Sequence, residues 1–380
     1  MKLCFLGLEN LPVLAPEYGR HNIAGEGVQQ TLLARAFARR GHEVSMVTWD
    51  YGQPEGAEWQ GIRVHKAYAP HAGVPLLRFF HPRWSGMWSA LARADAELYY
   101  TSCAGMHVGL LALFCQRHGR RFVFRSASDT DCDPARLLVR YRRDRWLYEY
   151  GLRRANVVLV QSQSQSQNLA RNYKLTGRVA GMLVDAPAPA GARDIDVLWA
   201  SNIRRLKRPD RLLALAARLP HLRFHMLGGP LPGEEALYRE IAEAAATRRN
   251  VTFHGRVAYR EAAALYDRAR LFVNTSDVEG FPNSYLQAWV RGVPVVTLID
   301  PDGVIAREGL GFAATSSPGG IEGAVQGLLE DANAWQAVSG RCRDYMAREH
   351  GEDRVLAPYQ QAFGDALRGP GADALRIAGA

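Results

Sequence analysis

Residues 274–296 read NTSDVEGFPNSYLQAWVRGVPVV, and this stretch predicts the end of a strand, a loop, a helix and a second strand. A glycine and a proline punctuate the loop. Either Asn283 or Ser284 is expected to cap the helix, because a short polar side chain accepts a bond from the first backbone N–H groups. The helix is expected to end before Gly292. Glu279 therefore lies in a loop beyond the carboxyl end of a strand, at the edge where open α/β sheets bind ligands.

The same stretch resembles the donor-site signature of the retaining glycosyltransferases of family four, which have the GT-B fold. That family usually carries a glutamate followed by Gly-Phe-Gly, and a second glutamate eight positions after the first, on a helix that ends in Gly-x-Pro-Val-Val. Residues 279–281 and 292–296 match this pattern. Pro282 stands where the family commonly has glycine, and Gln287 stands where it commonly has the second glutamate. Gln287, together with a missing family histidine described below, indicates a divergent subgroup.

A cluster of cations follows the first predicted strand of the C-terminal half. Residues 202–209 read NIRRLKRP and connect a strand to a helix, where arginine and lysine suit a pyrophosphate. In the family, the matching loop has an arginine and, five residues later, a lysine. Lys207 matches the lysine, whereas Asn202 occupies the position of the arginine. Arg204 or Arg205 is therefore expected to replace it, with a solvated basic loop as the alternative interpretation.

The resemblance implies a role for each of these side chains. Glu279 would hydrogen-bond the hydroxyls of the donor sugar and orient it, with a carboxylate that caps the following helix as the alternative. Lys207 and Arg204 would stabilise the charge of the departing diphosphate. Gln287 would bind the ribose hydroxyls, because an amide both accepts and donates hydrogen bonds. The further residues expected to bind the donor are Arg205, Gly228, Arg256, Gly280, Phe281, Pro282, Asn283 and Ser284.

The N-terminal half opens with a predicted strand, a glycine-bearing loop and a helix from about residue 28 to residue 40. The loop residues Gly25, Glu26 and Gly27 resemble the N-terminal glycine loop of the family, and residues 39–44, RRGHEV, repeat the family sequence closely. The resemblance implies that the two glycines let the backbone approach the donor phosphates or the acceptor. A tight turn is the alternative, and no third glycine completes a dinucleotide-binding pattern.

A polar segment follows the strand predicted at residues 121–124. The family commonly has a histidine here, near the reacting sugar, whereas this chain continues with RSASDTDCD. Ser126 and Asp129 are expected to bind acceptor hydroxyls, together with the carboxylates of Asp131 and Asp133. The spacing of these three aspartates is unconvincing as a metal site, so neither a metal ion nor a cofactor is expected.

The formal net charge is +9 at pH 7, and the whole excess of lysine and arginine lies in residues 1–190. Two segments mix these cations with aromatic side chains, namely residues 75–93 and a helix predicted over residues 134–154. A one-sided basic surface of this kind attracts an anionic membrane, a nucleic acid or an acidic substrate. Arginine-rich composition, with packed helices that turn a solvated face outward, is the alternative explanation.

Length and composition indicate a two-domain protein of the cytoplasm. A chain of 380 residues suggests two domains of ordinary size. Met1 and Lys2 lead directly into a predicted strand without a signal peptide, and no apolar run is long enough to span a bilayer. The five scattered cysteines fit reduced thiols. We expect a cytoplasmic protein that also associates with the inner face of the cell membrane.

Strands and helices alternate on both sides of a proline-rich stretch, which predicts an α/β fold with two Rossmann-like, doubly wound parallel-sheet domains facing each other across a cleft. The expected parts are an acceptor-side domain at residues 1–184, a linker at residues 185–192 and a donor-binding domain at residues 193–350. A terminal helix at residues 351–368 is expected to cross back to the first domain. Residues 369–380 are expected to form a flexible tail.

The resulting hypothesis is the metal-independent transfer of a hexose from a nucleotide diphosphate donor to a hydroxyl of a glycan, lipid-linked or polysaccharide acceptor, with retention. UDP and GDP are equally open as the donor nucleotide. One alternative is a GT-B nucleotide-sugar epimerase, which would need acids and histidines in its cleft. Another is a basic peripheral protein that binds anionic lipid or nucleic acid and does not need Glu279 or Lys207. Because these residues and the glycine loops fall at strand ends, a small-ligand site is favoured and no nucleic acid is expected.

Overall fold

The computed structural model describes residues 1–19, 25–75, 77–187, 191–231, 233–314 and 320–369. They form two compact units, one of residues 1–183 with the C-terminal segment from Glu352, and one of residues 184–351. Each unit carries its own parallel sheet, so the predicted α/β class with two parallel-sheet domains is confirmed. Residues 188–190 of the predicted linker, and all but the first residue of the predicted tail at 369–380, lie outside the described residues.

The first unit alternates strands and helices along the chain. Its strands are β1 (Lys2–Leu6), β2 (Glu43–Thr48), β3 (Glu58–Trp59), β4 (Ile62–Lys66), β5 (Leu98–Ser102), β6 (Arg121–Arg125), β7 (Val157–Val160) and β8 (Gly177–Val179). Its helices before the division are α1 (Leu11–Leu14), α2 (Gly25–Arg39), α3 (Ser85–Ala94), α4 (Met106–His118), α5 (Arg142–Leu152) and α6 (Gln163–Tyr173). The sheet order is β3-β4-β2-β1-β5-β6-β7-β8. β3 runs antiparallel to β4, and the other paired strands are parallel.

The second unit follows the same plan. Its strands are β9 (Ile195–Ala200), β10 (Phe224–Leu227), β11 (Val251–Gly255), β12 (Ala269–Asn274), β13 (Val295–Thr297) and β14 (Gly311–Ala313). Its helices are α7 (Pro209–Arg218), α8 (Glu235–Ala246), α9 (Tyr259–Arg268), α10 (Asn283–Trp289), α11 (Val304–Glu308), α12 (Gly320–Glu330) and α13 (Ala332–Glu349). All strands pair in parallel, in the order β11-β10-β9-β12-β13-β14. The carboxyl ends of these strands therefore lie on one edge of the sheet.

The last helix, α14 (Glu352–Arg368), packs in the first unit. The ring of Phe363 stacks on Phe37 of α2 with the ring centroids 5.1 Å apart. The Tyr359 hydroxyl donates to the carbonyl oxygen of Gly181 at 2.9 Å. Aromatic pairs of this kind stabilise by more than the apolar area they bury, so α14 is an integral part of the first core. None of the described helices combines the length and the apolar composition that crossing a membrane requires.

One predicted helix is much shorter than expected, and three strands were missed. The helix predicted over residues 134–154 begins only at Arg142. The Asp133 carboxylate accepts the backbone N–H of Ala135 at 2.9 Å, in a turn that competes with helix formation. The missed strands are β3, β8 and β14, which carry no apolar run. Each is a short edge strand without a fully buried residue.

The predicted glycine loop at residues 25–27 is the first turn of a helix. α2 begins at Gly25 rather than near residue 28, so Glu26 lies in the first helical turn. A carboxylate at this position is favoured by the partial positive charge of a helix N-terminus. Gly27 is buried, and a Cβ on it would lie 3.0 Å from the side-chain oxygen of Asn10, so its role here is close packing.

Helices α4 and α5 cross at two glycines. A Cβ on Gly109 would lie 2.2 Å from the carbonyl oxygen of Leu147, and a Cβ on Gly151 would lie 2.4 Å from the carbonyl oxygen of Val108. The two helices can therefore approach this closely only because each carries a glycine at the crossing. The crossing fixes α5 against the sheet of the first unit.

Replacing Gly109 with alanine is therefore expected to lower the free energy of unfolding by about 1–3 kcal/mol, because the added methyl group forces α4 and α5 apart. Urea unfolding of the purified protein, followed by circular dichroism, measures the change. Gly340→Ala in α13 is the matched control. Nothing lies within 4 Å of a Cβ there, so this variant should gain about 0.5–1 kcal/mol. Equal behaviour of the two variants would contradict the close crossing.

Candidate functional site

Two loops meet at the carboxyl edge of the second sheet. β9 and β12 are parallel neighbours, so the segments that follow them leave the same edge. The Thr275 hydroxyl joins these segments: it lies 2.9 Å from the carbonyl oxygens of both Lys207 and Arg208. The same hydroxyl accepts the indole N–H of Trp199 at 2.9 Å. The backbone at Lys207 is thus held in place by the loop that carries Glu279.

Lys207 and Glu279 form an ion pair in which the ammonium nitrogen lies 2.7 Å from both carboxylate oxygens. Their side chains are only 17% and 12% exposed. One carboxylate oxygen also accepts the Ser276 hydroxyl at 2.6 Å and the Asn274 amide at 3.2 Å. Four hydrogen bonds therefore hold the Glu279 carboxylate in one orientation. The structure brings together the two residues that the sequence analysis singled out at separate strand ends.

The arginines of the Lys207 loop differ in their partners. Arg208 pairs with Asp210 at 2.8 Å and with Asp277 at 3.6 Å. Arg204 is half-buried and Arg205 is exposed. Among the described residues, neither of these two guanidinium groups has a side-chain hydrogen bond or an ion pair. Arg204 and Arg205 are therefore the cations of this loop whose charge is not already neutralised, in line with their predicted role.

The helix after the Glu279 loop is shorter than predicted and starts differently. α10 begins at Asn283 and covers seven residues. Pro282 occupies the preceding position, so the predicted capping by Asn283 or Ser284 was wrong. The fixed φ of proline suits a residue that leads into a helix. Asn283 and Ser284 instead lie in the first turn, whose N–H groups have no partner within the helix.

The other predicted donor residues lie at the same edge of the sheet. Gly280 and Phe281 are half-buried in the loop before α10. Gly228 follows β10 with a φ of 157°, and a Cβ there would lie 1.8 Å from the carbonyl oxygen of Ser201. Glycine is required at this close approach of two loops. Arg256 follows β11 and is exposed.

Gln287 lies one turn into α10, and both ends of its amide are bonded within the protein. Its oxygen accepts from Arg291 at 2.9 Å, and its nitrogen donates to the Tyr259 hydroxyl at 2.9 Å. The residue is 8% exposed. Sequence reasoning missed both partners. Arg291 lies four positions from Gln287, a spacing at which helical side chains meet, so it could have been found. No local pattern relates Tyr259 to a helix 28 positions away. The expected contact with ribose hydroxyls stays a prediction.

A buried ion pair occupies the region predicted to contact the acceptor. Arg125, at the end of β6, is fully buried and donates to both carboxylate oxygens of Glu26 at 2.9 and 3.1 Å. The Glu26 side chain is 10% exposed. Within the described part of the chain, Nε and Nη2 of Arg125 have no hydrogen-bond partner. Sequence reasoning placed Glu26 at the acceptor but did not foresee that a guanidinium would hold it.

Most of the hydrogen bonds of the polar segment after β6 are made within its own turn. Ser126 is buried, and its hydroxyl donates to the carbonyl oxygen of Ser128 at 3.1 Å. One oxygen of Asp131 accepts two backbone N–H groups of this turn. Burial raises the pKa of Asp131 to about 7, although these N–H bonds oppose the shift. Asp129 is half-buried and accepts the Gln165 amide at 3.1 Å. Of the predicted acceptor residues here, Asp129 and Asp133 are half-buried, whereas Ser126 and Asp131 are buried.

The residues that the structure describes include no group of three or more His, Cys, Asp or Glu side chains placed to hold a metal ion.

Both units match families of known proteins. Residues 24–180 match the family described as Glycosyl transferase 4-like domain, and residues 194–331 match the family described as Glycosyl transferases group 1. The two matches fall in the first and in the second unit, respectively. No curated protein sequence matches the chain.

Solved structures of similar architecture cover almost the whole chain. A sucrose-phosphate synthase from Thermosynechococcus elongatus is 18% identical, with 95% of this chain and 98% of that chain covered and a TM-score of 0.74. Anabaena HepE, solved with UDP and glucose, is 15% identical, with coverages of 96% and 99% and a TM-score of 0.72. WaaG, a glycosyltransferase involved in lipopolysaccharide biosynthesis, is 16% identical, with coverages of 97% and 100% and a TM-score of 0.65. At these identities the likeness shows the fold.

The family matches and the shared fold together define the class of this protein, which is a glycosyltransferase with the GT-B fold. The match to the glycosyl transferase 4-like domain lies in its first unit, and the match to glycosyl transferases group 1 lies in its second unit. Its reaction class is glycosyl transfer.

The Lys207–Glu279 pair should be energetically coupled. Lys207→Met and Glu279→Gln are each expected to lower the free energy of unfolding by about 1–3 kcal/mol, because each leaves a partly buried charge without its partner. The double variant should lose clearly less than the sum of the two losses. Urea unfolding of the four proteins measures the coupling.

The control is the exposed pair of Arg268 and Asp194, whose side chains are 46% and 47% exposed. Arg268→Met and Asp194→Asn should change stability little, because solvent already screens these charges. Additive losses at Lys207 and Glu279 would show that the two side chains do not interact in solution.

Proposed function

We propose that this glycosyltransferase moves a hexose from a nucleotide diphosphate donor to a hydroxyl acceptor, with retention at the anomeric carbon and without a metal ion. The observation that carries the proposal is the Lys207–Glu279 ion pair. It lies at the carboxyl edge of a parallel sheet, within the residues that match the group 1 family. An ammonium group and a carboxylate placed side by side can bind one donor molecule, the ammonium group at the diphosphate and the carboxylate at the sugar.

Cations of the Lys207 loop are proposed to stabilise the leaving diphosphate. Negative charge develops on it as the bond to the anomeric carbon breaks, and preorganised positive groups stabilise that charge. The ammonium group of Lys207 has three donors, so it can bond a phosphate oxygen without releasing Glu279. Arg204 or Arg205 supplies the second cation, since guanidinium groups bond phosphate oxygens in pairs.

Glu279 is proposed to accept hydrogen bonds from hydroxyls of the donor sugar. Of its two oxygens, Oε1 receives bonds from Lys207, Asn274 and Ser276. Among the described residues, Oε2 receives a bond from Lys207 alone, so it keeps lone pairs for a ligand. This role binds and orients the sugar and does not require Glu279 to exchange a proton.

Retention determines where the acceptor proton goes. The acceptor oxygen bonds to the anomeric carbon on the same face of the sugar from which the diphosphate leaves. An oxygen of the departing diphosphate is then the base closest to the acceptor hydroxyl, and it takes the proton. One C–O bond breaks and one C–O bond forms, so the step needs neither an oxidant nor a reductant.

The donor nucleotide is proposed to be UDP. The support is the fold likeness to Anabaena HepE, which was solved with UDP and glucose. GDP is the alternative, because the contacts argued above are made to the diphosphate and the sugar and do not select the base.

The acceptor is proposed to be a lipid-linked or polysaccharide intermediate of the cell envelope, reached at an anionic membrane surface. Six of the nine exposed large hydrophobic side chains among the described residues fall between residues 74 and 146. These six side chains and the exposed arginines beside them are here called the aromatic-basic surface. The hydrophobic members are Val74, Leu77, Phe80, Leu138, Tyr141 and Trp146, and the arginines are Arg78, Arg136, Arg140, Arg142 and Arg143.

The two segments of the aromatic-basic surface are adjacent. The guanidinium carbon of Arg143, in α5, lies 3.5 Å from the ring centroid of Phe79, next to Phe80. Trp146 is 62% exposed and stacks on Tyr150. Exposed aromatic rings insert at the headgroup level of a bilayer, and each nearby arginine adds about 1 kcal/mol of attraction to an anionic leaflet. This arrangement supports the proposed peripheral binding at the cytoplasmic face.

Thermal melting with UDP, GDP, ADP and their sugar conjugates tests the donor site. At a hundredfold excess over the dissociation constant, a ligand stabilises by about 2.7 kcal/mol, which raises the melting temperature by several degrees. We expect this shift for UDP and its sugar conjugate, and its loss in Lys207→Ala. Lys2→Ala, which removes an exposed lysine of the other unit, should keep the shift. A protein that responds to no nucleotide would contradict the proposed activity.

Vesicle sedimentation tests the aromatic-basic surface. Vesicles that contain phosphatidylglycerol should bind the protein, and pure phosphatidylcholine vesicles should not. The double variant Arg140→Glu/Arg142→Glu is expected to bind about tenfold or more weakly, because two attractions become repulsions. The control Arg239→Glu/Arg249→Glu reverses two exposed arginines of the second unit. If both double variants lost binding equally, net charge rather than this surface would be responsible.

A further inference from the structure

The polar segment after β6, residues 126–133, is held by helix α5. The Tyr148 hydroxyl of this helix donates to the backbone carbonyl oxygen of Asp131 at 2.6 Å, and Tyr148 is fully buried. The carboxylate of Asp131 in turn accepts the backbone N–H groups of Ala127 and Ser128 at 2.8 and 3.2 Å. Asp131 therefore joins the internal turn of the segment to α5.

The outer face of the same helix belongs to the aromatic-basic surface. Arg142, Arg143 and Trp146 of α5 are exposed members of this surface. Trp146 lies two positions before Tyr148, and residues two positions apart in a helix do not face the same side. α5 thus presents Trp146 to the outside and Tyr148 to the inside. It connects the surface proposed to meet the membrane with the segment predicted to meet the acceptor.

A second connection runs along the backbone. Arg145 of α5 donates to the carbonyl oxygen of Pro134, which directly follows the polar segment. Residues 134–141 form neither helix nor strand. They carry four exposed members of the aromatic-basic surface, namely Arg136, Leu138, Arg140 and Tyr141. Irregular, exposed stretches open locally at a small cost in free energy, so contact with a membrane can restrain this stretch and the polar segment before it.

We propose that binding of the aromatic-basic surface to an anionic membrane orders the polar segment through α5, with Tyr148 as the positioning residue. The inference rests on the proposed membrane-bound acceptor. Ordering a site costs conformational entropy when a ligand binds, and a first ligand that already restrains the site removes part of this cost for the second. The membrane is the first ligand, and the lipid-linked acceptor that it carries is the second.

Hydrogen exchange of the complete chain, read by mass spectrometry with and without phosphatidylglycerol-containing vesicles, tests the inference. None of the residues 126–133 is exposed, so a membrane cannot shield them directly. In the wild type, these vesicles are expected to slow exchange in the polar segment about five- to tenfold, the size of a modest coupling between two binding events. Pure phosphatidylcholine vesicles, which the protein should not bind, should leave the exchange unchanged.

Two tyrosine variants of α5 separate the coupling from the binding. Tyr148→Phe removes the hydroxyl and keeps the ring. It should bind the vesicles as tightly as the wild type, because no exposed residue changes, yet they should slow exchange in the polar segment by less than about twofold. Tyr150→Phe is the matched control, because the Tyr150 hydroxyl donates to the Gln116 side chain at 2.9 Å and not to the polar segment. This variant should keep both the binding and the slowing.

The possible failures are distinguishable. A wild type that does not bind phosphatidylglycerol-containing vesicles overturns the proposed membrane association, and the inference with it. A wild type that binds them without slower exchange in the polar segment overturns the inference alone. A Tyr148→Phe variant that binds them and keeps the full slowing overturns the role of Tyr148. If Tyr148→Phe does not fold, the wild-type comparison still decides whether the membrane and the polar segment are coupled.

Discussion

Parallel pairing of β9 with β12, in the middle of the second sheet, brings the reactive groups of this chain together. It sends the segments after both strands to one edge, where Thr275 ties their backbones to each other. Lys207 can then reach Glu279, although 72 positions separate them in the chain. Free in solvent, the two charges would attract each other weakly. Held at 2.7 Å and mostly shielded from water, they form a fixed dipole beside which a donor molecule can bind.

The first unit also contains an ion pair that joins two distant segments of the chain. Where the resembling family commonly has a histidine, this chain has Arg125, whose side chain is fully buried. A buried guanidinium needs a carboxylate partner, because an uncompensated charge in a protein interior costs several kcal/mol, of the order of 3–5. Glu26 supplies it from the first turn of α2. This pair joins the end of β6 to the start of α2 and explains why a charged side chain stands between two glycines.

Local patterns predicted most of the fold and the identity of the central site residues. The apolar strands and the helical repeats were recognisable because burial imposes their periodicity on neighbouring residues. The edge strands β3, β8 and β14 were not predicted, since little of their surface is buried. Glu279 and Lys207 were found as candidates from their positions after strands. Tyr259 as a partner of Gln287 and Arg125 as the partner of Glu26 were not found, because they come from distant parts of the chain.

The sequence by itself determined where most strands and helices form, that they alternate in two halves, and which charged residues follow strand ends. These properties depend on residues within a few positions of one another, so they can be read along the chain. Only the tertiary structure decided which of those charges meet, which arginines are neutralised, and which way the Gln287 amide points. Such pairings depend on strand order and register, and these place side chains from separate segments within 3 Å of each other, a relation that no local pattern contains.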